Sequence, residues 1–238
     1  MLFLRESEMA MPVRHWLRRE NLLVKEEFVL PWGICDFVGL SFNESQVKKR
    51  LSLRQYRPIG PMHRVELLRH IPDQESGSAI PFSRLQKKTN GTAFTRPLED
   101  ELRTLIANRF VVSKKNGSLQ KLNGWARMHD RIVAVELKLS RVSEALAQAV
   151  SNRAFATESY IGLPAKAAER LASSDRCSEF CKTGIGILAV TPTTCKIVLP
   201  VACQESAPDV TLQMHCVERF WRTRDNSSSI AGPRVQAS

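Results

Sequence analysis

Hydrophobic positions along this chain fall into short runs separated by polar, turn-rich stretches, and their spacing changes from run to run. Residues 34–42 read Ile-Cys-Asp-Phe-Val-Gly-Leu-Ser-Phe, and residues 132–139 read Ile-Val-Ala-Val-Glu-Leu-Lys-Leu. Runs this apolar, rich in branched and aromatic side chains, predict buried strands. Glu26 and Glu27 open an earlier strand, and Pro31-Trp32-Gly33 forms the turn after it. Beyond the second run the period becomes helical. Ser140 predicts an N-cap. Val142, Ala145, Leu146, Ala149, Val150 and Arg153 then recur every three or four residues, an amphipathic helix of about four turns. Gln148 and Asn152 lie one turn apart on its flank. Residues 158–164 predict a short strand ending at Pro164, and residues 184–192 a buried strand. Residues 196–201 predict its antiparallel partner.

The middle of the chain has a different grammar. Residues 65–71 and 81–88 predict short helices, the second with Pro81 in its first turn. Residues 97–108 predict a third, with Leu98, Leu102, Leu105 and Ile106 as its buried stripe. Glu99, Asp100 and Glu101 stand in its first turn, where the helix dipole favours acids. Asn116-Gly117 between residues 110–115 and 118–122 predicts a hairpin. Three helices and a basic-tipped hairpin resemble a winged helix-turn-helix. Lys114, Lys115 and Lys121 would suit a wing against phosphates, whereas acids opening a recognition helix would repel them.

The chemistry is concentrated in the two buried strands. A carboxylate inside an apolar run loses its water and must be compensated. Asp36 stands in the first run, and Glu136 and Lys138 stand in the second. Side chains alternate along a strand, so Glu136 and Lys138 point the same way, after Ile132 and Ala134. Val133, Val135, Leu137 and Leu139 line the other face. If the strand with Asp36 pairs nearby, two carboxylates and an ammonium converge. Two carboxylates bind a hard divalent cation such as Mg²⁺ or Mn²⁺ through oxygen. The lysine could then stabilise a phosphate oxygen or an attacking water. The competing reading is an edge strand whose Glu and Lys are simply solvated.

The order strand with Asp36, strand with Glu136-Leu-Lys138, helix with Gln148, then further strands resembles the PD-(D/E)xK nuclease superfamily, the restriction-endonuclease-like fold. The resemblance covers roughly residues 20–42 and 125–201. It implies an α/β fold: a mixed sheet flanked by helices, interrupted by a winged-helix-like α+β insertion. It also implies metal-dependent hydrolysis of a phosphodiester. Asp36 and Glu136 would hold Mg²⁺ or Mn²⁺, Lys138 would aid attack, and Gln148 would support the site. One departure is the distance of 100 positions between Asp36 and Glu136, where the family's two strands follow closely. An insertion between neighbouring strands accounts for it. Asp130 is the rival aspartate, but Met-His-Asp-Arg reads as a polar turn. Glu20 is a further candidate carboxylate, read chiefly as a surface acid beside Arg18 and Arg19.

Charge supports the division. Residues 44–124 hold 16 Lys and Arg against 7 Asp and Glu, an excess of nine in a chain whose net charge is +11. Such clustering points to a phosphate-rich partner, DNA first and RNA second. Lys48, Lys49, Arg50, Arg54 and Arg57 would form a basic arm, with Lys87 and Lys88 ending the second helix. The expected organisation is a nuclease-like domain of residues 1–43 and 125–222, a basic insertion of 44–124, and a disordered tail of 223–238. No apolar stretch approaches the ~20 residues of a membrane span. The first residues are read as too short for a signal-peptide core, and Met9 and Met11 would serve as alternative starts. Six cysteines at irregular spacing fit reduced thiols in a cytoplasmic protein better than a zinc site. Trp32 and Trp125 are read as core residues, with Trp32 able to border the site. One site cuts one strand, so a homodimer would suit a duplex break. Two other readings use the same features: a DNA-binding or regulatory protein without catalysis on this fold, and a protein-interaction adaptor.

Overall fold

The computed structural model describes residues 3–90, 94, 96–202 and 208–224. A 3-10 turn at Glu6–Met9 leads into α1 (Ala10–Arg19). The hairpin of β1 (Leu23–Leu30) and β2 (Gly33–Phe42) follows. Next come α2 (Glu44–Ser52), α3 (Met62–His70), α4 (Phe82–Lys88) and α5 (Leu98–Ala107). The short strands β3 (Val111–Ser113) and β4 (Leu119–Lys121) precede β5 (His129–Leu137), α6 (Val142–Asn152) and β6 (Glu158–Pro164). The chain continues through α7 (Ala165–Ala172), α8 (Cys177–Thr183), β7 (Gly186–Val190), β8 (Cys195–Leu199) and α9 (Val210–Arg224). Among the described residues, no helix is long and apolar enough to cross a membrane.

The chain divides into two compact units. The first, up to Phe42 and again from His129 to Gln213, holds a six-stranded sheet in the order β1-β2-β5-β6-β7-β8. β5, β6 and β7 are parallel, and β1, β2 and β8 join antiparallel, so the sheet is mixed. Both faces are covered, which is why the central strands read as continuous apolar runs. On one face Met9, Val13, Trp16 and Leu17 pack on Phe37, Val133, Val135, Leu137 and Tyr160. On the other, Ala145, Leu146 and Ala149 of α6, with α7 and α8, pack on Ile161, Leu163 and Ile187. This is an α/β architecture with a mixed sheet flanked by helices.

Local details depart from the sequence pattern for physical reasons. Arg141, not Ser140, is the N-cap of α6, and the Val142 N–H donates to the Ser140 carbonyl. Val150 is exposed, at the edge of the apolar stripe rather than on it. Met-His-Asp-Arg is no turn: His129, Asp130 and Arg131 begin β5. Trp125 is buried, as expected, but Trp32 is 43% exposed.

The second unit runs from Asn43 to Met128 and resumes at Met214. Its core gathers Val65, Leu67 and Leu68 of α3, Leu85 of α4, Leu98, Leu102 and Leu105 of α5, and Met214. Ile106, expected in the α5 stripe, is exposed. β3 and β4 form the expected hairpin, turned at Gly117 with φ +76°. Ile80 adds an isolated bridge to Leu119. The division therefore falls within α9, although the sequence pattern assigns residues up to 222 to the sheet unit. Glu218 explains the later part of α9. It forms a buried ion pair with Arg50 and accepts the Ile59 N–H at 2.7 Å. α9 continues through Thr223 and Arg224, which the sequence pattern assigns to the tail, and residues 225–238 lie outside the described residues.

Candidate active site

β2 and β5 are direct neighbours, so the chain between Phe42 and His129 is inserted between adjacent strands. Phe37 pairs with Val135 and Leu40 with Ile132. Continued by one rung, this register sets Asp36 opposite Glu136, despite their separation in sequence. There the ladder is interrupted: the Leu137 N–H donates to Asp36 Oδ2 at 2.7 Å, a bond the partner strand would otherwise supply. Across the hairpin from Asp36, Glu27 takes a left-handed φ of +48°. A non-glycine residue in that region carries strain, which here is stored beside the carboxylate.

Glu136 is only 2% exposed. It pairs with Ile161, whose side chain belongs to the face packed by α6. Asn152 of α6 donates Nδ2 to Glu136 Oε1 at 2.6 Å and lies 3.4 Å from Cys35 Sγ. Burial, and then the charge of Asp36, push the Glu136 pKa from 4.5 up to about 7, against the lowering effects of Asn152, Cys35 and Lys138. Asp36 is also raised, first by burial, with Glu6 and Glu27 adding to it and the Leu137 N–H and Lys138 opposing it. The buried Cys35 thiol is driven well up by burial and by Glu136, so it stays protonated. Two neighbouring carboxylates with raised pKa values form a site whose negative charge would be relieved by a cation.

Lys138 leaves the sheet just after β5 and is 8% exposed. Its N–H donates to the Gly162 carbonyl at 3.1 Å, which fixes the backbone. A Cβ on Gly162 would lie 2.6 Å from Leu137 Cδ2, so a side chain there would displace the segment that carries Glu136 and Lys138. Lys138 Nζ lies 4.0 Å from Glu6 Oε2 and 3.9 Å from Glu144 Oε1, while Glu6 Oε1 accepts the Leu139 N–H at 3.3 Å. Among the described residues, no group of three His, Cys, Asp or Glu side chains is placed to hold a metal ion. The carboxylates that could hold one are Asp36 and Glu136, which the β2–β5 register, continued by one rung, sets opposite each other. Mg²⁺ is commonly held by one or two carboxylates, with water and phosphate oxygens filling the shell, so the pair fits such an ion.

Gln148 stands beside these groups and shares a cavity with Glu136 and Asn152. That cavity, of about 200 Å³, is also lined by Trp32, Ile34 and Ser151. Three residues at the site do not stand out by their sequence pattern. Asn152 sits four residues after Gln148 on the same helix, a spacing that places both on one flank. Cys35 neighbours Asp36 in the strand. Glu6 arrives from the first turn of the chain and has no sequence signal. The other acids are engaged elsewhere. Asp130 begins β5, six residues and roughly 20 Å from Glu136. Glu20 and Glu158 both pair with Arg131, and Glu26 pairs with Arg14.

The basic residues of the second unit divide by exposure. Lys48, Lys87, Lys88, Lys114 and Lys115 are exposed. Lys49 pairs with Glu75. Arg50 is a correction to the expected basic arm, since it is fully buried on α2, paired with Glu218 and stacked 4.1 Å from the Trp221 ring. Lys121 is a second correction. It is half-buried, donates to the Leu68 carbonyl at 3.2 Å, and has its pKa lowered by burial. The acids opening α5 are less repulsive than their letters imply. Glu101 is buried and paired with Arg64, and Asp100 pairs with Arg103. Burial would raise Glu101, but Arg64 brings it below its ordinary value.

No protein-family model and no curated protein matches this chain. Among solved structures it is similar to a "protein of unknown function from Silicibacter pomeroyi", SPO1766. That likeness spans 98% of this chain and 99% of the other, at 13% identity and a TM-score of 0.39.

Proposed function

We propose that this protein is a metal-dependent nuclease that hydrolyses DNA phosphodiester bonds, built on a restriction-endonuclease-like sheet with a winged-helix-like insertion. The observation that carries the reading is the pairing of the strands that hold Asp36 and Glu136, with Lys138 close enough for its charge to lower the pKa of both. The raised pKa of both carboxylates supports it. Asp36 and Glu136 would hold Mg²⁺ or Mn²⁺. Such an ion supplies Lewis acidity, neutralising phosphate charge and making water easier to deprotonate. The Leu137 N–H fixes the Asp36 carboxylate, and Asn152 fixes that of Glu136. Lys138, shielded between Glu6 and Glu144, would present its ammonium to a phosphate oxygen as charge develops in the transition state. In the second unit, α3, α4, α5 and the β3–β4 hairpin suit a winged helix. Its exposed Lys87, Lys88, Lys114 and Lys115 would supply backbone affinity that falls steeply with salt.

One observation favours a second reading, a DNA-binding platform without catalysis. With a pKa of about 7, Glu136 is half-neutral at neutral pH, and a neutral carboxyl is a poor ligand. Metal binding separates the two. Titration of Mn²⁺ into wild type, followed by calorimetry or electron paramagnetic resonance, is expected to show one ion. Binding is expected to vanish in Asp36→Asn and Glu136→Gln. Because the proton on Glu136 competes with the ion, affinity is expected to rise about tenfold between pH 6 and pH 8 and then level off. Absence of binding to wild type, or binding indifferent to both substitutions, would favour the platform.

A further inference from the structure

The cavity beside Glu136 shares Glu136 and Asn152 with the chemistry above, and the rest of its walls are specific. Its volume of about 200 Å³ has room for a single planar ring system. Trp32 is held by a 3.4 Å hydrogen bond from its indole N–H to Asn152 Oδ1, and it nevertheless remains 43% exposed. Ile34 is 56% exposed on the same wall, and its cross-strand partner Val29 is 58% exposed. An apolar cluster on the tip of a hairpin commonly marks a binding surface. The opposite wall is polar. The Oε1 of Gln148 is buried and has no hydrogen-bond partner among the described residues. A buried acceptor left unpaired costs stability until a donor reaches it. An aromatic face, a fixed acceptor and a size limit of one ring system are what an unstacked nucleobase requires, since every base has a π-face and most carry edge N–H donors.

We propose that this cavity takes one unstacked nucleobase of the strand being cut, so that the substrate is single-stranded or unpaired DNA. The proposal rests on the nuclease reading, because Glu136 lies in the cavity wall and an adjoining phosphodiester would meet it. In a duplex the bases are paired and stacked and offer nothing to Trp32 without being flipped out.

The test is affinity, measured in EDTA so that no strand is cut. Fluorescence anisotropy would compare a single-stranded oligonucleotide, an abasic oligonucleotide of the same length, and a blunt duplex. Wild type is expected to bind the strand with bases about tenfold more tightly than the abasic one, the size of one base–aromatic stack. Trp32→Ala is expected to lose that preference and leave abasic and duplex affinities unchanged, while Trp32→Phe keeps most of it. Equal binding of the two single strands by wild type, or an equal loss on all three DNAs in Trp32→Ala, would overturn the proposal. The wild-type comparison decides the matter even if Trp32→Ala fails to fold. Failure of the nuclease reading would look different: base preference intact in EDTA, with no DNA cut when Mg²⁺ is added. Cutting of strand and duplex alike, with no base preference, would remove the cavity's role and leave the nuclease.

Discussion

Replacing Lys138 with alanine is expected to lower DNA cleavage about 10²- to 10³-fold while DNA affinity stays within a few-fold, because the lost cation acts on charge that develops only in the transition state. Lys138 is nearly buried, and its backbone is pinned to Gly162. The ammonium can therefore act on a phosphate with little screening by water. Asp36→Ala is expected to be at least as severe, since it would remove one of the two carboxylates proposed to hold the metal. Lys138→Arg should recover little, because a forked guanidinium cannot occupy the same point between Glu6 and Glu144. Single-turnover cleavage measured beside anisotropy on the same DNA separates the two effects. A fall in affinity that matched the fall in rate would assign Lys138 to binding alone.

Glu136→Gln is expected to do the opposite to stability, raising that of the metal-free protein by about 3 kcal/mol at pH 8. The folded protein holds the Glu136 proton to a pKa of about 7, against 4.5 for the ordinary group. The native state therefore binds more protons than the unfolded chain between those values, and stability falls as pH rises through them. Above pH 7 the whole penalty is present, about 1.4 kcal/mol for every tenfold difference in proton affinity between the folded and unfolded states. Glutamine keeps an acceptor for Asn152 Nδ2 and carries no charge. At pH 4, where both states hold the proton, the variant should gain nothing. Urea unfolding at pH 4 and pH 8 checks the sign. Saturating Mg²⁺ should restore wild type at pH 8 and leave Glu136→Gln unchanged. A variant less stable than wild type at pH 8 would contradict the account.

Much of the sheet unit was legible because burial on both faces leaves a strong signal. The run around Val133 and Val135 reads as a buried strand, and the pairing of β5 with both β2 and β6 removes the competing edge-strand reading of Glu136 and Lys138. The separation of Asp36 from Glu136 was legible as an insertion because β2 and β5 are adjacent once the chain folds. The break at Asp36 was not, since it depends on a side chain replacing a ladder bond and on the backbone of Glu27. Glu6 was equally hidden, brought to the site only by the packing of α1. In the second unit, Lys48, Lys49 and Arg50 looked alike as letters. The helical period of α2 places Arg50 three residues after the buried Val47, on the inner face, where Glu218 of α9 meets it. That partner lies 168 residues away, beyond the reach of any local pattern.

The most direct test of the central claim is cleavage of supercoiled plasmid and of a single-stranded circle by the wild-type protein, in Mg²⁺, in Mn²⁺ and in EDTA. Cutting of the single-stranded circle, and of the plasmid no faster, is expected with either metal, none in EDTA, and none by Asp36→Ala with metal present. Cutting that persists in EDTA, or in Asp36→Ala at the wild-type rate, would contradict the claim.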